Sequence, residues 1–302
     1  MKAEQLKLFA LNEKIEYCEN ESMALHTSFK IGGNAEFYLK PNSADSLTRL
    51  IKFLNEIDMP YFILGSGSNL IVSDKGIKGA VINTAGLNAI SLTNENTICA
   101  ESGVSLAALC TFAKENSLTG LEFAYGIPGS VGGALYMNAG AYGGDMSNVV
   151  TKAESITNSG ELKKRPLNEL ELGYRTSLFK TNGEIITAVY FELQKGDKDQ
   201  IEAEMAAIIE KRKKSQPLEY PSGGSTFKRP TGYFAAALID ECGLKGKSVG
   251  GAMVSEKHAG FVINYNKATC SDILGLVDFI KETVKTQKGV DLETEIIFVG
   301  EK

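Results

Sequence analysis

The chain has 302 residues, 43% apolar and 23% charged, with a net charge of −5; that length suggests two or three domains, and the acidic balance disfavours nucleic acid as a partner. Cys18, Cys99, Cys110, Cys242 and Cys270 form no close pair of the zinc or CxxC kind, so free thiols in a reducing cytoplasm are the simplest reading and no metal is expected. The first twenty residues carry acidic groups and no apolar run, no stretch approaches the length of a membrane span, and two histidines leave few groups for imidazole chemistry.

Along the chain, residues 44–57 place Leu47, Leu50, Ile51 and Leu54 on one helical face. YFIL, the turn GSGSN and LIV read as strand, tight turn, strand, and 80–84 as a further strand. Short alternating segments at 88–100 precede a helix over about 106–116, with Leu106, Leu109, Cys110 and Ala113 on one side. Strands are expected at 152–157 and 184–193. The polar break GDKDQ (196–200) marks a boundary, followed by a helix over 201–215 that turns Ile201, Met205, Ile208 and Ile209 inward and ends in KRKK. A helix at 233–242, a strand AGFVIN, a helix at 271–288 capped by Ser271 and closed by Gly289, and a strand ETEIIFV complete the chain. The class is α+β, in three lobes.

The most informative segment is YGIPGSVGGALYMNAGAYGG (125–144). Glycine lets a ligand lie against bare peptide, and the apolar residues between the glycines exclude a flexible linker. A short helix starting near Gly129 or Ser130, after Pro128, would aim its first N–H groups at an anion; close packing through small residues is the alternative. Gly65-Ser66-Gly67-Ser68-Asn69 lacks the helix and third glycine of a dinucleotide fingerprint. It is either an ordinary turn or a nest of amides around a pyrophosphate. Two separated glycine surfaces suggest a two-phosphate cofactor. Tyr174-Arg175, Gly223-Gly224-Ser225, Lys228, Arg229, His258 and the pair Glu293, Glu295 (one strand face) are each more often structural or solvated when taken singly.

In order, TSFKIGG, GSGSNLIVSDKG, GIPGSVGGALYMNAGAYGG, YRTSLFK, GGSTFKRP, GGAMVSEKHAGFVIN and LETE resemble the UDP-N-acetylenolpyruvoylglucosamine reductases over nearly the whole chain. The resemblance implies the FAD-binding fold of the vanillyl-alcohol oxidase/PCMH type: FAD subdomains at 1–85 and 86–200 (FAD region about 30–196) and a substrate domain at 201–302, in the compact form without an extra substrate loop. It implies non-covalent FAD, NADPH as co-substrate, a UDP-sugar substrate, and a monomeric cytoplasmic enzyme without membrane insertion. Arg175, Ser225 and Glu295 fall on the family's catalytic positions. Gly65, Ser66, Gly67, Ser68, Asn69, Ile127, Pro128, Gly129, Ser130, Gly132, Gly133, Asn138, Ala139 and Gly140 fall on the cofactor surface, and Tyr174, Lys228, Arg229 and His258 on the substrate side. Departures are mild: Ser66 stands where an acidic residue is frequent, His26 where Asn is common, and the alanines of 234–238 and Cys242 differ from the usual pattern. An FAD oxidase of the same fold and a non-catalytic nucleotide-sugar module are the competing readings. The absence of His and Cys from 125–144 speaks against a covalent flavin.

Overall fold

The computed structural model describes residues 2–301 and divides into two compact units. The first holds the chain up to Glu19, Phe37–Ser66 and Gly79–Glu210; the second holds Asn20–Glu36, Gly67–Lys78 and the chain from Lys211 onward.

The first unit has two cores. In one, helix α1 (Lys2–Asn12) buries Leu6 and Ala10, and α2 (Ala44–Glu56) buries Leu47, Leu50, Ile51 and Leu54. Their spacing keeps one face apolar, and Leu39, Ala80 and Ile82 complete the cluster. Ser43 caps α2, its hydroxyl accepting from Ser46 N at 3.2 Å. The strand Tyr61–Leu64 lies parallel to Ile77–Asn83, Tyr61 opposite Ala80. The other core covers a five-stranded antiparallel sheet in the order Leu162–Pro166, Val150–Ile156, Ile185–Glu192, Thr97–Glu101, Ile90–Leu92. Helices α3 (Leu106–Glu115), α4 (Val131–Tyr136), α5 (Phe179–Asn182) and α6 (Lys198–Ser215) contribute Leu106, Leu109, Val131, Leu135, Phe179, Ile201 and Met205 to it. Helix α6 begins earlier than position 201, leaves Ile209 only half-buried, and contains the division between the units after Glu210.

In the second unit α7 (Ala235–Glu241) and α8 (Cys270–Lys288) share a core with the antiparallel strands Ser248–Val249, Ala252–Val254 and Val262–Asn264. Phe29, Ile31, Ile71 and Ile296 close that core. The strand Leu70–Val72 pairs in parallel with Ile297–Val299.

Three local expectations need correction. Tyr61–Leu64 and Leu70–Val72 are the two expected strands, but what joins them is no tight turn between neighbours: each pairs in parallel with a distant strand, and the chain leaves one unit for the other between Ser66 and Gly67. The N-cap of α8 is Thr269, not Ser271; its hydroxyl accepts from Asp272 N at 3.1 Å, and Asp272 accepts from Thr269 N at 3.0 Å. Ser271 lies in the first turn, where Asp74 takes its N–H and hydroxyl and the N–H of Cys270. The last strand starts at Ile297, leaving Glu293 and Glu295 outside it, in a segment that runs alongside 226–228 through the isolated bridge of Phe227 with Thr294 and the backbone bonds on either side of it. Gly289 does terminate α8, at φ +70°. Among the described residues no helix is long and apolar enough to cross a membrane.

Candidate functional site

The glycine tract separates into packing glycines and open ones. Ser130 caps α4, its hydroxyl accepting from Gly133 N at 3.3 Å. Val131 N donates to Val104 O and Gly132 N to Ser102 O, each at 2.8 Å. The first amides of α4 are therefore bonded within the protein, and the expectation that they point at an anion does not hold. Gly132 is there for close approach: a Cβ would sit 2.7 Å from Ser102 Cβ. Gly140 and Gly144 likewise crowd Asp145 Cβ (2.6 Å) and the Phe123 ring (2.8 Å). Gly133 differs. It is exposed, and a Cβ would meet nothing nearer than Ser130 Oγ at 3.4 Å. Gly65 borders the same place, its hypothetical Cβ 2.7 Å from Ser130 Oγ, with its carbonyl held by Asn83 Nδ2 at 3.4 Å. Gly65 and Gly133 thus present bare peptide on either side of the buried Ser130 hydroxyl, flanked by exposed Ser66 and Pro128. Ile127 N donates to Ala124 O within a turn, and Gly129 O accepts from Leu106 N at the start of α3.

The far end of α4 holds a second element. Asn138 is buried at φ +42°, and its amide accepts from Ser147 N (3.1 Å) and donates to Gly173 O (3.0 Å). Ala139 continues this brace, donating to Ala134 O and accepting from Met146 N. Gly173 and Thr176 exchange backbone bonds of 3.2 and 3.3 Å, a tight turn with Tyr174 and Arg175 at its corners. Arg175 is left-handed, φ +57°, a conformation uncommon without glycine. Its guanidinium carbon lies 5.4 Å from the centroid of the exposed Tyr174 ring. The cofactor-side residue Asn138 and the Arg175 turn are physically one structure.

In the second unit, five separate sequence motifs converge through backbone and side-chain hydrogen bonds. Thr226, fully buried, donates its N–H to Gly260 O (2.8 Å), accepts Val262 N on its hydroxyl (3.0 Å) and accepts Glu295 N on its carbonyl (2.9 Å). Ser225, one residue earlier, is exposed, next to Gly224 at φ +78° with open space around it. Ser225 and Glu295 therefore stand on adjacent extended segments. Asn69 Nδ2 donates to Glu295 O at 3.1 Å and Asn69 O accepts Ile297 N at 2.9 Å, so the end of the GSGSN loop braces the glutamate. Ser28 Oγ bonds Ser222 O (2.6 Å) and Ser68 O (3.2 Å), joining TSFKIGG to both loops. Gly223 is required there, since a Cβ would overlap the Phe29 ring.

The remaining substrate-side residues are placed less simply. Lys228 Nζ lies 2.9 Å from Glu293 Oε2, and the lysine holds the Glu293 carboxyl below its usual range. Its charge is directed at Glu293 rather than offered to Ser225. Arg229 stacks on exposed Phe234, 4.0 Å from guanidinium carbon to ring centroid. His258 precedes the strand Val262–Asn264 rather than lying in it, and its Nδ1 accepts from Gly260 N at 3.1 Å. Burial pushes its pKa down, so the ring is neutral with its proton on Nε2. Thr226, Asn83 and Phe29 were not singled out by their sequence; positions inside the motifs mark Thr226 and Phe29, and Asn83 lies outside every motif.

These features define an FAD-binding protein. Residues 35–164 match the family described as "FAD binding domain", and residues 216–299 match "UDP-N-acetylenolpyruvoylglucosamine reductase, C-terminal domain". The chain is 49% identical over 296 residues to the UDP-N-acetylenolpyruvoylglucosamine reductase of Clostridium novyi, covering 98% of this chain and 96% of that protein. It is 47% identical to that of Geobacillus thermodenitrificans, covering 98% and 97%. The crystal structure of the Thermus caldophilus reductase superposes with a TM-score of 0.80 at 33% identity, covering 94% of this chain and 98% of that one. The chain belongs to the UDP-N-acetylenolpyruvoylglucosamine reductase family.

The bare peptide at Gly65 and Gly133 fits such a cofactor, because a side chain on Gly133 would fill open space and touch no protein carbon. Two neighbouring substitutions separate the roles of these glycines. Gly132→Ala is expected to destabilise the protein by about 1–3 kcal/mol through overpacking on Ser102. Gly133→Ala is expected to raise the unfolding midpoint of the FAD-free protein, since alanine is favoured in a helix by about 1 kcal/mol, and to lose FAD on gel filtration. Thermal unfolding and the 450 nm absorbance check both.

Proposed function

We propose that this protein uses NADPH to reduce the enolpyruvyl group of UDP-N-acetylglucosamine enolpyruvate, forming UDP-N-acetylmuramate for peptidoglycan precursors. Bound FAD supplies the hydride-carrying chemistry that side chains lack. Gly65, Ser66, Pro128, Gly129, Ser130 and Gly133 are the residues we assign to hold it, with Gly67, Ser68, Asn69 and Ile127 shaping the loops around them. Gly132, Asn138, Ala139 and Gly140 serve that surface by packing and bracing.

Addition of hydride at the vinyl carbon leaves charge on the carbon next to the substrate carboxylate. Arg175 matches that carboxylate with a planar, permanently charged fork, and Tyr174 and Arg229 contribute to holding the nucleotide sugar. Ser225 delivers the proton to the charged carbon, and solvent reprotonates the serine. Glu295, half-buried, serves best as a hydrogen-bond donor, because an ionised carboxylate beside a developing enolate would repel it. The observation that supports this reading is the bond from Glu295 N to Thr226 O, which ties the segment of the glutamate to the one that carries the exposed Ser225.

The free cysteines fit a reducing cytoplasm; we assign a monomer acting in cell-wall synthesis, with FAD subdomains at 1–85 and 86–200 and a substrate domain at 201–302 to which 20–36 and 67–78 add. The purified protein should be yellow, and with no other electron acceptor present its continuous turnover of NADPH should start when the enolpyruvyl UDP-sugar is added. A colourless protein that does not take up FAD overturns the proposal.

A further inference from the structure

We propose that Lys180 is a positioning residue for Arg175, acting through the backbone of the Tyr174–Arg175 turn; the proposal rests on the role given to Arg175 above. Lys180 lies in the first turn of α5, whose own length gives the turn no support. Its ammonium reaches back and donates to Arg175 O at 3.1 Å. The same nitrogen stands 5.9 Å from the centroid of the Tyr136 ring at the end of α4. Between these points Ser177 Oγ donates to Tyr136 O at 2.7 Å, and Asn138 Nδ2 donates to Gly173 O at 3.0 Å.

Each of these three bonds holds a different part of one short loop. Asn138 fixes its entry, Ser177 its exit, and Lys180 the carbonyl of the residue at its corner. Arg175 is the residue in the left-handed conformation, so its carbonyl and side chain are set by a φ that the chain does not favour. Loss of the ammonium removes the bond to that carbonyl from α5, and the corner then relaxes toward a right-handed conformation. The guanidinium would turn with it. Fork-to-carboxylate binding is sensitive to plane and distance, and a misplacement of about 1 Å at a reacting centre costs on the order of 100-fold.

The test is a double-mutant cycle on the FAD-loaded enzyme, with Lys180→Met and Lys180→Gln each made alone and in an Arg175→Ala background. In the parent background Lys180→Met is expected to lower kcat for the enolpyruvyl UDP-sugar by about 10–100-fold, with the KM for NADPH and the FAD content unchanged. Lys180→Gln keeps a shorter donor and is expected to fall between. In the Arg175→Ala background neither change should slow the reaction further. A full loss persisting without Arg175 would overturn the proposal, because Lys180 would then act directly or through stability. So would wild-type kcat in Lys180→Met, or loss of FAD from both Lys180 variants. If the unmodified enzyme itself fails to turn over the UDP-sugar, the proposed function fails, independently of Lys180.

Discussion

Ser225→Ala is expected to slow NADPH-dependent reduction of the enolpyruvyl UDP-sugar by about 1,000-fold, the middle of the range for a removed general acid. NADPH oxidation with ferricyanide as acceptor should continue at the wild-type rate. The structure makes the comparison clean. Ser225 is exposed beside Gly224, in open space, and its replacement removes an oxygen without emptying a packed site. Its neighbour carries the architecture instead: Thr226 has its N–H, carbonyl and hydroxyl all bonded. Thr226→Val should cost about 1–3 kcal/mol of stability by leaving Val262 N unpaired in the interior, and should reduce both activities together by lowering the folded fraction. The two substitutions are one residue apart and differ in kind. Equal loss of both activities in Ser225→Ala would remove the serine from the proton step, since an interaction made only in that transition state cannot affect the other half of the cycle. Lys228 gives no easy route to acidify the serine, because its ammonium is paired with Glu293. The basicity of the developing substrate anion must therefore draw the proton.

Helices were legible in the sequence where one face carries the burial. In α2, α3 and α8 the buried residues are spaced by three and four, and the periodicity fixed them within a residue or two. Strand pairing was not legible. Two short apolar runs around GSGSN read as strands joined by a tight turn, yet the partners are Ile77–Asn83 for one and Ile297–Val299, at the other end of the chain, for the other. Parallel pairing needs a long connection, and no local signal reports it. The cap of α8 shows the same limit. Thr269 and Ser271 are equally plausible by type, and Asp74, which takes the amides of Cys270 and Ser271 from almost two hundred residues away, decided between them. At the site, the motifs marked the right segments but not their division of labour. Gly132 and Gly133 are adjacent and identical as letters; one packs against Ser102 and the other faces open space. Phe29, in TSFKIGG, is fully buried, and its ring fills the place where Gly223 would carry a Cβ. That contact gives the first motif its physical connection to the Ser225 loop.

Gly67→Ala should be among the most damaging single-methyl changes at the described glycines. Gly67 is buried at φ +62°, and an added Cβ would overlap His26 O. The left-handed conformation alone costs an L-residue about 1–2 kcal/mol, and forcing a methyl into a packed backbone contact adds about 1–3 kcal/mol. The oxygen cannot step aside cheaply. His26 N is held by Met23 O, and Gly67 O accepts Ser28 N at 3.1 Å, so the two strands of peptide are locked to each other. Any separation also pulls on Ser28, whose hydroxyl bonds Ser222 O and Ser68 O, and so reaches the loop that carries Ser225. The expected result is a loss of about 2–5 kcal/mol from the two causes together, read as a lower urea midpoint, with kcat falling even among molecules that remain folded. Gly67→Asn separates the causes. Asparagine tolerates the left-handed region better than alanine but carries the same Cβ, so it should be no better if the clash with His26 O dominates. Recovery of stability in Gly67→Asn would show instead that dihedral strain is the whole effect and that the His26 peptide is free to move.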